Sequence, residues 1–144
     1  MNAAPPPPLR ILSLDDDTGN QSLIAAIVSR SAEPEIRAAD LIQVSTIAEA
    51  REILADRRVD IVLLDVHLPD GLGLDLAHDL RADGPSRPSV LALTASVLPI
   101  DQQAALDAGC DAFLPKPFAT PDLLDAVLSL ARARNARIAD TNTA

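Results

Sequence analysis

The sequence is poor in aromatic residues, cysteine and long apolar runs, and each shortage excludes something. It has two phenylalanines, no tyrosine and no tryptophan, so the core must be built from Leu, Ile, Val and Ala. The single cysteine, Cys110, cannot form an internal disulfide, which fits a reducing compartment. No apolar run approaches the roughly 20 residues that span a bilayer, and prolines stand at positions 5–8, where a signal peptide would place its apolar segment. We therefore expect a soluble cytoplasmic protein without membrane contact.

Positive charge is also scarce. Twelve Lys and Arg residues stand against 21 Asp and Glu, for a net charge of −9. Because no basic stripe with interleaved aromatics could neutralise phosphates, we expect no nucleic-acid partner. The 144 residues, of which 48% are apolar, suit one domain with a buried sheet and helices on both faces.

Short apolar runs alternate with amphipathic segments along the whole chain. Strands are predicted at 11–14, 41–44, 59–65, 89–94 and 112–115, and helices at 21–31, 47–54, 74–81, 101–108 and from Thr120 onward. This alternation predicts a doubly wound α/β fold, a flavodoxin-like (βα)5 arrangement with a five-stranded parallel sheet in the order 2-1-3-4-5.

The domain is expected to span residues 10–134. A proline-rich disordered arm at 1–9 precedes it and a flexible polar tail at 135–144 follows it. The connection at 35–40 is ambiguous in structure, and we have no functional account of it.

Polar residues end four of the five predicted strands: Asp15 and Asp16, then Asp65, Thr94 and Lys116. In the order 2-1-3-4-5 the first and third strands are neighbours, so the three carboxylates meet at the carboxyl edge of the sheet. Three close carboxylates need a counter-charge, and a hard divalent cation such as Mg²⁺ supplies it economically. Taken alone, Asp65 could equally do no more than cap a turn.

Lys116 and Thr94 are expected on the other side of Asp65. An ammonium and a hydroxyl there are what a phosphoryl group on the Asp65 carboxylate would require, because phosphoryl transfer is stabilised mainly by placement and charge. Asp65 itself would then be the nucleophile.

Four blocks in this order resemble the receiver domain of response regulators in two-component signalling. They are Ile-Leu-Ser-Leu-Asp-Asp-Asp at 11–17, Ile-Val-Leu-Leu-Asp-Val-His-Leu-Pro at 61–69, Leu-Ala-Leu-Thr-Ala at 91–95 and Phe-Leu-Pro-Lys-Pro-Phe at 113–118. The resemblance covers 10 to about 133, nearly the whole chain. It implies a bacterial phosphoprotein that carries a phosphoaspartate.

The resemblance implies a role for each matching acid. Asp65 corresponds to the phospho-acceptor, Asp16 to a direct ligand of Mg²⁺ or Mn²⁺, and Asp15 to a ligand that acts through water. The backbone carbonyl of His67 would be a further metal ligand. Its imidazole either tunes dephosphorylation or is an ordinary exposed histidine.

The resemblance also assigns the residues of the last two strands. Thr94 corresponds to a switch hydroxyl that moves toward the phosphoryl group, and Phe113 to an aromatic whose rotamer follows it, unless Phe113 is a plain core residue. Lys116 corresponds to the phosphate-binding lysine, and its bond to Pro117 to a cis peptide. The sequence departs from the family at Leu72, where an acid commonly precedes the glycine, and this implies an altered loop shape.

These features predict a stand-alone receiver, phosphorylated by a histidine kinase or a phosphotransfer protein. Only about ten residues follow the last predicted helix, so we expect output through the face of the fourth helix, fifth strand and fifth helix to a protein partner, or onward phosphotransfer. Asn20 and Gln21 resemble receivers of hybrid kinases, which favours a relay. The oligomeric state, a monomer or a phosphorylation-dependent dimer, is left open. Catalysis beyond its own phosphotransfer and autodephosphorylation is not expected.

Two other classes were weighed. A pseudo-receiver would bind partners without phosphoryl transfer, but the complete set of acids, hydroxyl and lysine argues against it. A phosphohydrolase of the haloacid-dehalogenase type also uses a strand-end Asp nucleophile. It would place a second Asp two residues further on, where this sequence has His67.

Overall fold

The computed structural model describes residues 8–95 and 98–142. The predicted disordered arm at 1–9 therefore lies outside the described residues, except for Pro8 and Leu9. Leu9 packs against one of the two core clusters, and its carbonyl accepts a hydrogen bond from Asp40 N at 2.8 Å. The ordered chain thus begins with the first strand.

The described strands and helices alternate as the sequence predicts. The strands are β1 (Arg10–Leu14), β2 (Asp40–Val44), β3 (Ile61–Asp65), β4 (His67–Leu68), β5 (Gly71–Leu72), β6 (Ser89–Thr94) and β7 (Ala112–Pro115). The helices are α1 (Thr18–Ser29), α2 (Pro34–Arg37), α3 (Ile47–Asp56), α4 (Gly73–Arg81), α5 (Pro99–Asp107) and α6 (Thr120–Asn142).

The main sheet has the order β2-β1-β3-β6-β7, with every neighbouring pair parallel. Without the two-residue strands β4 and β5, this is the order 2-1-3-4-5, so the predicted flavodoxin-like topology is confirmed. Strands β3 and β6 lie inside the sheet and are buried along almost their whole length. That burial explains why they appear in the sequence as continuous apolar runs.

Helices cover both faces of the sheet, and each face has its own apolar cluster. Residues of α3, α4 and α5 pack on one face, with Leu12, Leu14, Val62 and Leu64 at the sheet. Residues of α1, α2 and α6 pack on the other, against Ile11, Ile61, Leu63 and Leu91. Successive strand residues alternate between the two clusters because side chains alternate across a strand. Function is thereby left to the strand ends.

Two short elements were not predicted. Strands β4 and β5 form an antiparallel hairpin in which His67 faces Leu72 and Leu68 faces Gly71, and Gly71 has φ 146°. Two-residue strands carry too few positions for an alternation signal. Helix α2 lies in the ambiguous connection at 35–40 and buries Ile36 completely in the layer of α1 and α6. The connection therefore contributes to the core.

The C-terminal segment differs from the prediction of a flexible tail at 135–144, since α6 continues as a helix to Asn142. Arg134 explains this, because its guanidinium is buried and donates to the Asp60 carboxylate at 2.8 Å and to the carbonyls of Arg87 and Ser86. Arg137 donates to the Arg87 carbonyl as well, at 2.9 Å. The polar composition that indicated fraying is in fact a set of anchors. In the described part of the chain, no helix is long and apolar enough to cross a membrane.

Candidate functional site

The register of the sheet brings the predicted polar residues to one edge. Asp65 is the last residue of β3 and pairs with Leu93 of β6, one residue before Thr94. Lys116 follows β7, and its N–H donates to the Thr94 carbonyl at 2.7 Å. Asp15 follows β1 and donates its N–H to the Val44 carbonyl at 3.1 Å. All of these residues therefore lie at the carboxyl ends of neighbouring strands.

Three carboxylates converge at this edge. One oxygen each from Asp15, Asp16 and Asp65 lie within 4.8 Å of one another. Asp15 is buried, Asp65 is mostly buried with 13% of its side chain exposed, and Asp16 is exposed. A set of hard oxygen donors with one side open to solvent fits a small divalent cation that keeps part of its water shell. The cluster could therefore hold a metal ion.

Lys116 is the only lysine in the sequence, and it faces this cluster. Its Nζ lies 3.1 Å from Asp15 Oδ2 and 3.5 Å from Asp65 Oδ2. The Lys116–Pro117 peptide bond is cis, the isomer that the family resemblance implies. A single ammonium thus faces three carboxyl groups, so the site is short of positive charge.

The environment of Asp65 acts on its pKa in both directions. Burial raises the pKa of Asp65, and the neighbouring charge of Asp15 adds to the rise. The Lys116 ammonium and the backbone N–H of His67, which donates to Asp65 Oδ1 at 3.2 Å, lower it, but the net direction is upward. Asp65 is therefore the carboxyl group of the cluster that gains most from added positive charge.

The remaining predicted residues lie around this cluster. Thr94 is buried at the end of β6, beside the Asp65 strand. Phe113 is half-buried on β7 and packs against the cluster under α3, α4 and α5. His67 is exposed, and its backbone N–H contacts Asp65. The carboxylates and the lysine meet directly, and Thr94 stands at the adjoining strand end.

The third acid of the first block has a different role. Asp17 is the N-cap of α1, and its Oδ1 accepts from Gly19 N at 2.7 Å and from Asn20 N at 3.3 Å. Asp is among the preferred residues at this position, so the cap was a readable signal. It was missed because the helix was expected to begin only at Gln21, three residues after the observed start at Thr18.

Two residues of the loop after Asp65 also hold the site, and the sequence offered no signal beyond a turn. Asp70 accepts from Ile47 N at 2.9 Å and from Ala48 N at 3.1 Å, which ties the loop to the first turn of α3; these N–H groups lower the pKa of Asp70. Gly73 is buried, and a Cβ there would overlap the Asp65 carbonyl oxygen and lie 3.0 Å from Leu64 Cδ1. Only glycine allows α4 to begin this close to Asp65.

A doubly wound parallel sheet with an acid cluster and a lysine at its carboxyl edge defines a class of small α/β proteins built to bind a cation beside a reactive carboxylate. The family model of the response regulator receiver domain matches residues 11–128. The chain therefore belongs to the response regulator receiver family of two-component systems, as the four sequence blocks predict.

Individual relatives agree with this assignment. Response regulator MprA of Mycobacterium sp. (strain KMS) is 37% identical over 125 residues, which cover 87% of this chain and 51% of that protein. The chain thus spans about half the length of such relatives. A CheY-like response regulator receiver domain protein from Methanospirillum hungatei aligns with a TM-score of 0.75 at 25% identity, over 90% of this chain and 98% of that one. A two-component response regulator from Clostridium difficile shares the fold, with a TM-score of 0.75 at 22% identity over 86% and 96%.

Proposed function

We propose that this chain accepts a phosphoryl group on Asp65 from the phosphohistidine of a histidine kinase or a phosphotransfer protein, with Mg²⁺ bound beside it. The observation that carries the proposal is the convergence of Asp15, Asp16 and Asp65 within 4.8 Å of one another, with the Lys116 Nζ 3.1 and 3.5 Å from two of them. The same residues correspond to those that the family resemblance assigns to phosphoryl transfer.

Each residue has a stated part in the transfer. A carboxylate oxygen of Asp65 attacks phosphorus and forms an acyl phosphate, while the P–N bond to the donor imidazole breaks and the electron pair stays on that nitrogen. The Lys116 ammonium balances negative charge on the phosphoryl oxygens, and the Thr94 hydroxyl donates to one of them. Mg²⁺, held by Asp15, Asp16, Asp65 and the His67 carbonyl, would supply further charge neutralisation.

Output is proposed to pass through the face formed by α5, β7 and α6, which are the predicted fourth helix, fifth strand and fifth helix. Phosphorylation adds charge next to Thr94 and Lys116, and both are joined to this face through β7. Helix α5 exposes two large apolar side chains, Ile100 at 75% and Leu106 at 39%. Such side chains suit a protein partner, although onward transfer of the phosphoryl group would use the same site chemistry.

The expectation that nucleic acid is not a partner applies to the matched domain. Relatives such as MprA are about twice as long as the matched segment, since it covers 51% of their length. For the domain itself, the net charge of −9 supports recognition by protein rather than by phosphate contacts.

The test is incubation with acetyl phosphate, and separately with a phosphorylated histidine kinase, with Mg²⁺ or with EDTA, followed by intact mass measurement. We expect one added phosphoryl group in wild type only when Mg²⁺ is present, and none in Asp65→Asn. Label retained in Asp65→Asn would show that the acceptor is another residue. A folded wild type that takes no label from either donor would favour the pseudo-receiver alternative.

A further inference from the structure

The first turn of α1 places a glutamine amide behind the acid cluster. Gln21 Nε2 donates to the Asp15 carbonyl oxygen at 2.6 Å and to the Val44 carbonyl oxygen at 3.3 Å. These two carbonyls lie where β1 and β2 end, and the last bond of their ladder runs from Asp15 N to Val44 O. The two hydrogens of one amide thus serve both strand ends.

The Asp15 carbonyl belongs to the peptide unit that joins Asp15 to Asp16. Because a peptide unit is planar, a bond that fixes this carbonyl also fixes the direction in which the Asp16 backbone leaves the sheet. Gln21 therefore acts on the orientation of Asp16 without touching its carboxylate.

Asp16 depends on this backbone constraint more than its neighbours do. The Asp15 carboxylate is held at one oxygen by Lys116 and at the other by Asp17 N at 2.9 Å, and Asp65 is held by His67 N. Within residues 8–95 and 98–140, the exposed Asp16 carboxylate makes no hydrogen bond or ion pair, yet it lies within 4.8 Å of the other two carboxylates. Its position in the cluster is thus set by its main chain.

Gln21 is itself fixed in place. Its N–H donates to the Asp17 carbonyl at 3.0 Å, within the capped first turn of α1, and its carbonyl accepts from Gln43 Nε2 on β2 at 2.7 Å. The amide that reaches Asp15 therefore starts from a backbone position held from two sides.

From this geometry we infer that Gln21 is a positioning residue of the metal site, which holds the Asp15–Asp16 peptide so that the Asp16 carboxylate points into the cluster. The inference rests on the proposed function, because it assigns Gln21 a role in Mg²⁺ binding at that site. Replacing residues that orient metal ligands typically costs metal affinity by a factor of roughly 10 or more.

The decisive experiment is a Mg²⁺ titration of protein labelled with ¹⁵N-lysine. Lys116 is the only lysine, so the label gives one amide signal, and that amide bonds to Thr94 at the site. Gln21→Met keeps the side-chain length but removes both donors, and Gln21→Asn keeps the amide but shortens its reach. We expect either variant to raise the Mg²⁺ dissociation constant roughly tenfold, and Gln21→Asn carries the test if Gln21→Met does not fold.

The matched control is Gln43→Met. It removes a side-chain bond of similar length to the carbonyl of Gln21 itself, so it lowers stability without releasing the Asp15–Asp16 peptide. We expect its dissociation constant for Mg²⁺ to stay within about twofold of wild type while its melting temperature falls as in the Gln21 variants.

The possible outcomes separate this inference from the proposed function. Wild type that binds Mg²⁺, together with Gln21 variants that bind it equally well, would overturn the inference alone. The same holds if Gln43→Met weakens binding as much as Gln21→Met. Wild type in which Mg²⁺ moves no Lys116 signal would overturn the metal step of the proposed function, and this inference with it.

Discussion

Replacing Lys116 by Met should have opposite effects on stability and on metal affinity. Lys116 is the one cation of the site, at 3.1 Å from the buried Asp15 and 3.5 Å from Asp65. Removing one partner of a buried ion pair costs about 3–5 kcal/mol. Since the Lys116 side chain keeps 18% of its exposure, we take the lower value, about 3 kcal/mol, or roughly 12 °C in melting temperature for a chain of this length.

Mg²⁺ should recover part of that loss. Without the ammonium, the three carboxylates have no competing cation, and we expect Mg²⁺ to bind roughly tenfold more tightly, which is worth about 1.4 kcal/mol at saturation. The deficit of Lys116→Met relative to wild type should therefore be about 3 kcal/mol in EDTA and about half that in saturating Mg²⁺. Phosphorylation should nevertheless be slower, because no ammonium faces the phosphoryl oxygens.

Urea unfolding followed by far-UV circular dichroism measures both deficits. Arg51→Met is the matched control, since Arg51 pairs with Asp79 at 2.7 Å on the surface, with side chains 47% and 54% exposed. It should cost less than about 1 kcal/mol and show no dependence on Mg²⁺. A Lys116→Met deficit that is equal in the two conditions, or larger with Mg²⁺, would refute the idea that Lys116 and the metal balance the same charges.

Three further substitutions test the scaffold around the site. Ser13 is buried in β1 and its Oγ has no hydrogen-bond partner among the described residues, so Ser13→Ala should raise the free energy of unfolding in urea by about 1 kcal/mol; a loss of that size would contradict this. Arg134→Met removes a buried guanidinium from Asp60 and should cost about 3 kcal/mol, with faster amide exchange at 135–142; unchanged exchange there would show that α6 needs no such anchor. Burial alone would raise the pKa of Asp111, but the Arg87 guanidinium, bonded at 2.8 and 3.0 Å, and a backbone N–H bring it below the usual value. The stability from this lowered pKa is present above pH about 4 and is lost as pH falls through the folded-state value; the wild type should thus lose more stability between pH 6 and pH 3 than Asp111→Asn, and parallel pH profiles would disprove it.

The fold and the acid cluster were predictable because they depend on patterns along the chain. Buried parallel strands are continuous apolar runs, and the rule that ligands bind at their carboxyl ends turns Asp15, Asp16, Asp65 and Lys116 into one site. No residue outside those strand ends was needed for that prediction, and the observed strand order confirms the topology on which it relied.

The supporting contacts were not predictable, because they join a side chain to a backbone group far away in sequence. Asp70 reaches α3 across 23 residues, and Gln21 reaches Val44 across 23. Each residue type is common in turns or on helix surfaces, so composition gives no warning of such a bond. The helical end of α6 was missed for the same reason, since the partners of Arg134 lie 47 and 74 residues earlier.

The two acids at the ends of the central strand show what separates a structural carboxylate from a chemical one. Asp60, just before β3, accepts from the Arg10 backbone N–H and from the guanidinium groups of Arg58 and Arg134, so its charge is fully balanced inside the protein. Asp65, at the other end, shares a single ammonium with Asp15. Both flank the same apolar run, yet only Asp65 lies at the carboxyl edge of the sheet, where the unbalanced negative charge attracts a cation. Residue type alone would have ranked them equally, whereas strand direction distinguishes them.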